Sequence, residues 1–266
     1  MVDLTYFPEY FDFSDNKKID SKATNGLAGT PDSLAYRVHE IEKHFHNSLQ
    51  IFGLTNNKMA RKSVSPIVVT GGNSAWGTEL VIHDGATIES GSTTKKFDFN
   101  QLYVTAVGTA NRVTILEFYK LTAGTALTGV TIDETGGTVE DMFTKNAHGL
   151  SNGDKVLLST IVTTTGINTY TAYYVVNKQA NYFQLSLTSG GSVVSVTGDG
   201  SCTVIPVTST LITETLVSKA NTTSDVLDHT IMWPRQTCDS VISCRGYAAG
   251  GTNAISFFAG LHVYDA

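Results

Sequence analysis

The sequence predicts a mainly β protein: a jelly-roll-like β-sandwich with an inserted small β-barrel, preceded by an N-terminal arm and one α-helix. Three observations carry this. Charged residues are only 16% of the 266, and Thr, Gly, Val and Ser recur throughout, a composition that suits strands and tight turns. Apolar and β-branched runs form eight segments, four before and four after a middle stretch of different wording, and eight strands split four and four close as two facing sheets. Helix signals converge on a single stretch, residues 30–53.

At 266 residues the chain can bury a sizeable core in one or two domains. Its wording divides it into an arm (1–30), a helix and linker (31–62), a discontinuous sandwich (63–127 and 208–266) and an inserted barrel (128–207). The net charge is −6 and no run of Lys or Arg exceeds two, which argues against nucleic acid or an anionic membrane as a partner. No apolar run approaches the roughly 18 residues of a spanning helix, and Met1 leads into an acidic, aromatic segment rather than a signal peptide. A soluble chain without an export signal is expected.

The arm places Tyr6, Phe7, Tyr10, Phe11 and Phe13 among acidic residues, followed by flexible polar sequence. Aromatics this dense bury a large area when they dock, either back on the chain's own β domain or on a neighbouring subunit or larger assembly. The helix follows. Thr30 can cap it, Pro31 suits its first position, Asp32 favours its positive end and Gly53 can terminate it. Leu34, Val38, Ile41, Phe45 and Phe52 form a narrow seam of about three heptads, fit to pair with like helices, most readily as a trimer, or to lie on the chain's own sheet. His39, His44 and His46 are five and two residues apart, so they point in different directions and read as solvated or packed side chains rather than metal ligands.

After the basic linker KMARKS (58–63), strands are expected at 66–70, 78–84, 96–107 and 111–120, then at 210–220, 225–234, 239–248 and 253–264. In the last, Ile255, Phe257, Ala259, Leu261 and Val263 alternate onto one face, which must be buried. Neither group of four strands could bury its face alone. The middle stretch therefore occupies a loop of the sandwich, where insertion costs little.

That middle stretch reads as six short strands with turns at NGD (152–154), NKQAN (177–181), SGG (189–191) and GDGS (198–201). Its strings HGLSNGD (148–154) and YYVVN...YFQLSLT (173–188) resemble the small β-barrel known as the first catalytic cysteine half-domain of ubiquitin-activating enzymes, a module that also occurs in bacteriophage virion proteins. SLAYRVHEIEKHFHN (33–47) is similar to the N-terminal helix of phage structural proteins that carry a β domain behind it.

Residues able to do chemistry are sparse. Ser74 in GNSAWG lacks the second glycine of a nucleophile elbow, because Trp76 stands in its place, so this is a turn. His148 has no partnered nucleophile or carboxylate, and the resembling barrels use its string as a structural hairpin. Asp199 reads as a turn residue before a calcium ligand, and TGGT and SGGS follow no strand-to-helix pattern that would cradle phosphate. The adjacent acids Asp133 with Glu134, and Glu140 with Asp141, are expected on opposite faces of a strand, where they cannot act as an acid–base pair. Cys202, Cys238 and Cys244 match neither a disulfide framework nor a zinc pattern and read as reduced packing residues, with a Cys238–Cys244 bridge open only if the two face each other across a hairpin. No catalytic residue, metal or cofactor is expected.

The resemblance implies a non-enzymatic structural protein of a tailed-phage virion, of the capsid decoration or head-fibre type. It would be made in the host cytoplasm and bound to the major capsid protein or another virion protein through its arm and helix. The alternative is a tail or fibre adhesin, with Tyr170, Tyr173, Tyr174 and Tyr182 of the barrel offering an aromatic platform to a host glycan or protein.

Overall fold

In the computed structural model the chain divides into two units, residues 1–59 and 60–266. The structure describes residues 66–135, 140–223 and 226–264, all in the second unit. The arm, the helix seam and the three helix histidines lie outside the described residues.

Among the described residues, fourteen strands build two hydrophobic cores. The first core is closed by β1 (Ile67–Asn73), β2 (Glu79–Asp84), β3 (Lys96–Val107), β4 (Thr114–Ala123), the second half of β10 (Gly200–Val217), β11 (Leu227–Thr230), β13 (Val241–Ala248) and β14 (Asn253–Tyr264), with the two-residue β12 (Gln236–Thr237) beside β3. Their ladders run β1-β14-β3-β11 in one layer and β2-β13-β4-β10 in the other. Numbered by rank along the chain, these orders are 1-8-3-6 and 2-7-4-5, the interlocked order of a jelly roll. The protein is mainly β, as its composition predicts.

Side-chain alternation explains the layers. On β4, Leu116 and Phe118 point into the core while Glu117 and Tyr119 point out. β14 holds strict alternation, its odd-numbered apolar residues facing the core. β3 does not: its ladder to β14 skips one residue between Phe99 and Gln101 and another between Val104 and Ala106. Each bulge lets the inward set change parity, so Phe97, Phe99, Leu102, Val104 and Val107 all reach the same core. At one corner the layers join, where β1 pairs parallel with β13 and Gly71 lies opposite Gly246. A Cβ on Gly71 would lie 2.9 Å from the Ala248 nitrogen, so the crossing needs glycine.

The second core belongs to β5 (Leu127–Asp133), β6 (Met142–Thr144), β7 (Lys155–Val162), β8 (Thr171–Val176), β9 (Tyr182–Ser186) and the first half of β10. Their order β8-β7-β10-β5-β6-β9 returns to β8 through a β8–β9 ladder, so these six antiparallel strands form a closed barrel between the fourth and fifth strands of the sandwich. Closure leaves no free edge within it. Phe143 and Phe183 stack at 5.7 Å inside.

Continuous backbone couples the two cores. β4 and then β5 lie along β10, with only residues 124–126 between them, and the Gly124 N–H donates to the Pro206 carbonyl across that gap at 2.7 Å. The eighteen-residue β10 thus begins in the barrel and ends in the sandwich. This corrects two expectations. Gly200 and Ser201 belong to a strand rather than to the GDGS turn, and the sandwich strand expected from residue 210 is the far half of a longer one.

Candidate functional site

The densest polar cluster among the described residues lies where sandwich meets barrel. β2 pairs with β8 there, Glu79 opposite Ala172 and Leu80 opposite Thr171. Alternation turns Glu79 away from the sandwich core and into this seam, where it is wholly buried. Lys155, the first residue of β7, reaches it from the barrel with Nζ at 2.7 and 3.0 Å from its two carboxylate oxygens. The Ser243 hydroxyl donates to Glu79 at 2.6 Å and the Tyr174 hydroxyl at 3.2 Å. Lys155 also donates to Ser209 and sits over the rings of Tyr119 and Tyr174 at 4.9 and 5.5 Å.

A second pair adjoins the first. Arg245 Nε donates to Glu117 at 2.8 Å, and its guanidinium donates to the Tyr119 hydroxyl, which itself donates to Glu117 at 2.6 Å. The guanidinium also stacks over Trp76 at 4.3 Å. Two carboxylates face two cations, and each of the four has a polar partner. Burial works against the Arg245 charge, but the hydrogen bond to Glu117 and the neighbouring anionic groups hold its pKa above the usual value. Burial raises the Tyr119 hydroxyl as well, followed by its bond to Glu117. Tyr174 is pushed up to about 12 by burial and then by the Glu79 charge.

These directions fix a pH dependence. The folded chain keeps Tyr119 and Tyr174 protonated above the usual tyrosine value of 10.0, whereas the unfolded chain ionises there. Their contribution is complete below about pH 10 and is lost as pH rises toward 12. A urea midpoint that holds from pH 7 to pH 8, starts to fall near pH 9 as the thiols of the unfolded chain ionise, and falls steeply by pH 11 is the expected result.

Glu79 is wholly buried and the Lys155 side chain only 9% exposed, so this pair is enclosed within the seam. It works as a joint. A buried ion pair gains little net stability, because desolvation offsets the attraction, but it penalises arrangements that separate its partners. Glu79 lies on the sandwich and Lys155 on the barrel, so their pairing ties the two lobes at this seam, while Arg245 and Glu117 both belong to the sandwich. Sequence reasoning missed the cluster, and the available signal was modest: Arg245 is the one charged residue of β13, and Glu117 shares β4 with a single other charge, Lys120.

The structure places the candidate residues of the sequence as follows. His148 is buried against Phe183; its Nδ1 accepts from the Leu150 N–H at 3.1 Å, and its Nε2 donates to the Gln179 carbonyl at 2.9 Å, which fixes the tautomer. It anchors the loop between β6 and β7, two strands that do not pair with each other, so the string is not the hairpin expected of it. Asp199 and Glu134 accept reciprocally, Asp199 from the Glu134 N–H and Glu134 from the Gly198 N–H. The acid pairs do not occupy opposite strand faces as expected. Glu134 follows β5, Glu140 and Asp141 precede β6, and Asp141 accepts from the Val196 N–H.

Tyr170, Tyr173, Tyr174 and Tyr182 do not form one platform. Tyr173 points into the barrel core and Tyr174, its neighbour on β8, into the joint, because successive side chains face opposite ways. Only Tyr170 is strongly exposed, at 60%, and Tyr182 is half-buried.

Cys202, Cys238 and Cys244 are free and buried. Burial raises all three thiols, Cys202 from 9.0 to about 12. None should react with Ellman's reagent at pH 8 until the chain is unfolded, when all three should; a thiol titrated in the native protein contradicts this placement. Among the described residues no group of three His, Cys, Asp or Glu side chains is arranged to hold a metal ion. No family model matches the chain, and no curated protein matches it significantly.

Proposed function

We propose that this protein is a non-enzymatic structural component of a tailed-bacteriophage virion, a capsid decoration or head-fibre protein attached through residues 1–62. The observation that carries the reading is a closed barrel bearing HGLSNGD, set into a jelly-roll loop and held by a joint whose charged groups are all engaged internally. Such a body suits a load-bearing role. The aromatic arm supplies docking area, and the helix seam supplies self-association into a trimer.

The mechanism is stabilisation by addition. A protein that binds only the assembled lattice shifts the equilibrium toward it, and many weak sites on a symmetric shell suffice because avidity multiplies them. Of the four tyrosines, the adhesin reading keeps Tyr170 and Tyr182, since Tyr173 and Tyr174 are buried.

Co-sedimentation tests the proposal. The full chain is expected to pellet with emptied, expanded capsids and to ignore intact host cells, and a chain lacking residues 1–30 is expected to stay folded but remain in the supernatant. Binding to cells alone would favour the adhesin, and loss of folding on deletion would sink the idea that these residues are a separate arm.

A further inference from the structure

The ladder between β10 and β7 ends at Val207. From residue 208 to 216 one edge of β10 is filled by β4, and the other carries no backbone partner among the described residues. This stretch, TSTLITETL, has strong strand preference, no proline, no glycine and a single charge. Long β-prone edges of that kind are usually blunted by lysines, prolines or a covering element, because they pair readily with another chain.

Side chains indicate what would cover it. Leu211 and Leu216 are 48% and 61% exposed, with the exposed Glu214 between them. Across the layer, Arg245 stands opposite Glu117, and Glu117 opposite Glu214. Arg245 is committed to Glu117, so the row ends on two adjacent carboxylates, which repel. The edge therefore lacks a strand with a cation against Glu214 and apolar groups on either side. Antiparallel pairing of two β10 edges would instead bring further carboxylates together.

The chain contains a matching segment. In an extended conformation, Ala60, Lys62 and Val64 share one face, an apolar–cation–apolar set, while Arg61 and Ser63 share the other. Residues 60–64 lie outside the described residues. Reach excludes their docking here within one chain. β1 begins at Ile67 at the far margin of the layer β1-β14-β3-β11, three strand spacings or about 14 Å from β11. β11 is the strand tied to this part of β10 by the Thr215–His229 hydrogen bond. From Val64 to Ile67 the chain spans at most about 10 Å.

We propose that residues 60–64 of a second copy of this chain add as a strand to the outer edge of β10, with Lys62 against Glu214 and its apolar neighbours against Leu211 and Leu216. Main-chain hydrogen bonds supply the affinity, and the Lys62–Glu214 contact sets the register. The proposal shares self-association with the reading above but needs no capsid, so its failure and that of the virion role are separately visible.

The test is disulfide trapping in the full chain with K62C and E214C combined. Cys202, Cys238 and Cys244 are buried and do not compete. After mild oxidation, a non-reducing gel is expected to show a ladder of dimers and higher species from the double variant and only monomer from either single variant. Monomer alone from the double variant, free or internally bonded, overturns the proposal. A ladder from either single variant also overturns it, because the trapped contact would then not be Lys62 against Glu214.

Discussion

Glu79→Ala is expected to lower stability by about 3–5 kcal/mol, because it removes the carboxylate paired with Lys155 in a buried seam. The variant also leaves the Ser243 and Tyr174 hydroxyls without their acceptor. Much of the stability should return when the pair is removed as a pair: Glu79→Leu with Lys155→Met keeps the seam filled and strands no charge, so the remaining cost is that of the Ser243 and Tyr174 hydroxyls left without an acceptor. Chemical denaturation of both variants reads the difference. A cost below about 1 kcal/mol for the single variant would mean that water enters the seam and that the joint does not hold the lobes.

Phe118→Ala is expected to cost about 3–5 kcal/mol by opening a cavity in the sandwich core, where Phe118 lies fully buried against Trp233 and Phe257 at 5.2 and 6.3 Å. Phe183→Ala does the same in the barrel, where the ring stacks on Phe143 and touches His148. The informative quantity is the shape of the transition. β10 passes through both cores and the joint ties them, so each substitution should shift one shared unfolding midpoint. If Phe183→Ala moves only an early phase and leaves a later one untouched, the lobes unfold separately and the coupling through β10 is weak.

Strand positions were legible in the sequence because burial on one side imposes a period of two. The segments written at 96–107 and 253–264 coincide with β3 and β14, down to the inward set of β14. The eight-strand count also pointed to a jelly roll, but the order, in which each sheet takes two strands from either side of the barrel, came from the structure. β10 was only half legible: Pro206 reads as a break, yet it stands where the strand leaves the barrel, and its carbonyl bonds Gly124. The joint could not be read at all. Glu79 meets Lys155 across 76 residues and Ser243 across 164, and Arg245 meets Glu117 across 128, so only the fold brings these groups together. The tyrosines failed as a platform for a local reason, since Tyr173 and Tyr174 are neighbours on one strand and both faces of that strand are covered.

On the proposed reading, the barrel and sandwich that share β10 form the body of the protein, and residues 1–62 its attachment. That division of labour predicts where assembly resides. Light scattering gives the mass of the purified full chain and of a chain beginning at Ser63. The expected result is a trimer that falls to a monomer on truncation, which puts self-association in the arm, helix and linker and fits a multivalent lattice protein. A monomer in both would contradict the account.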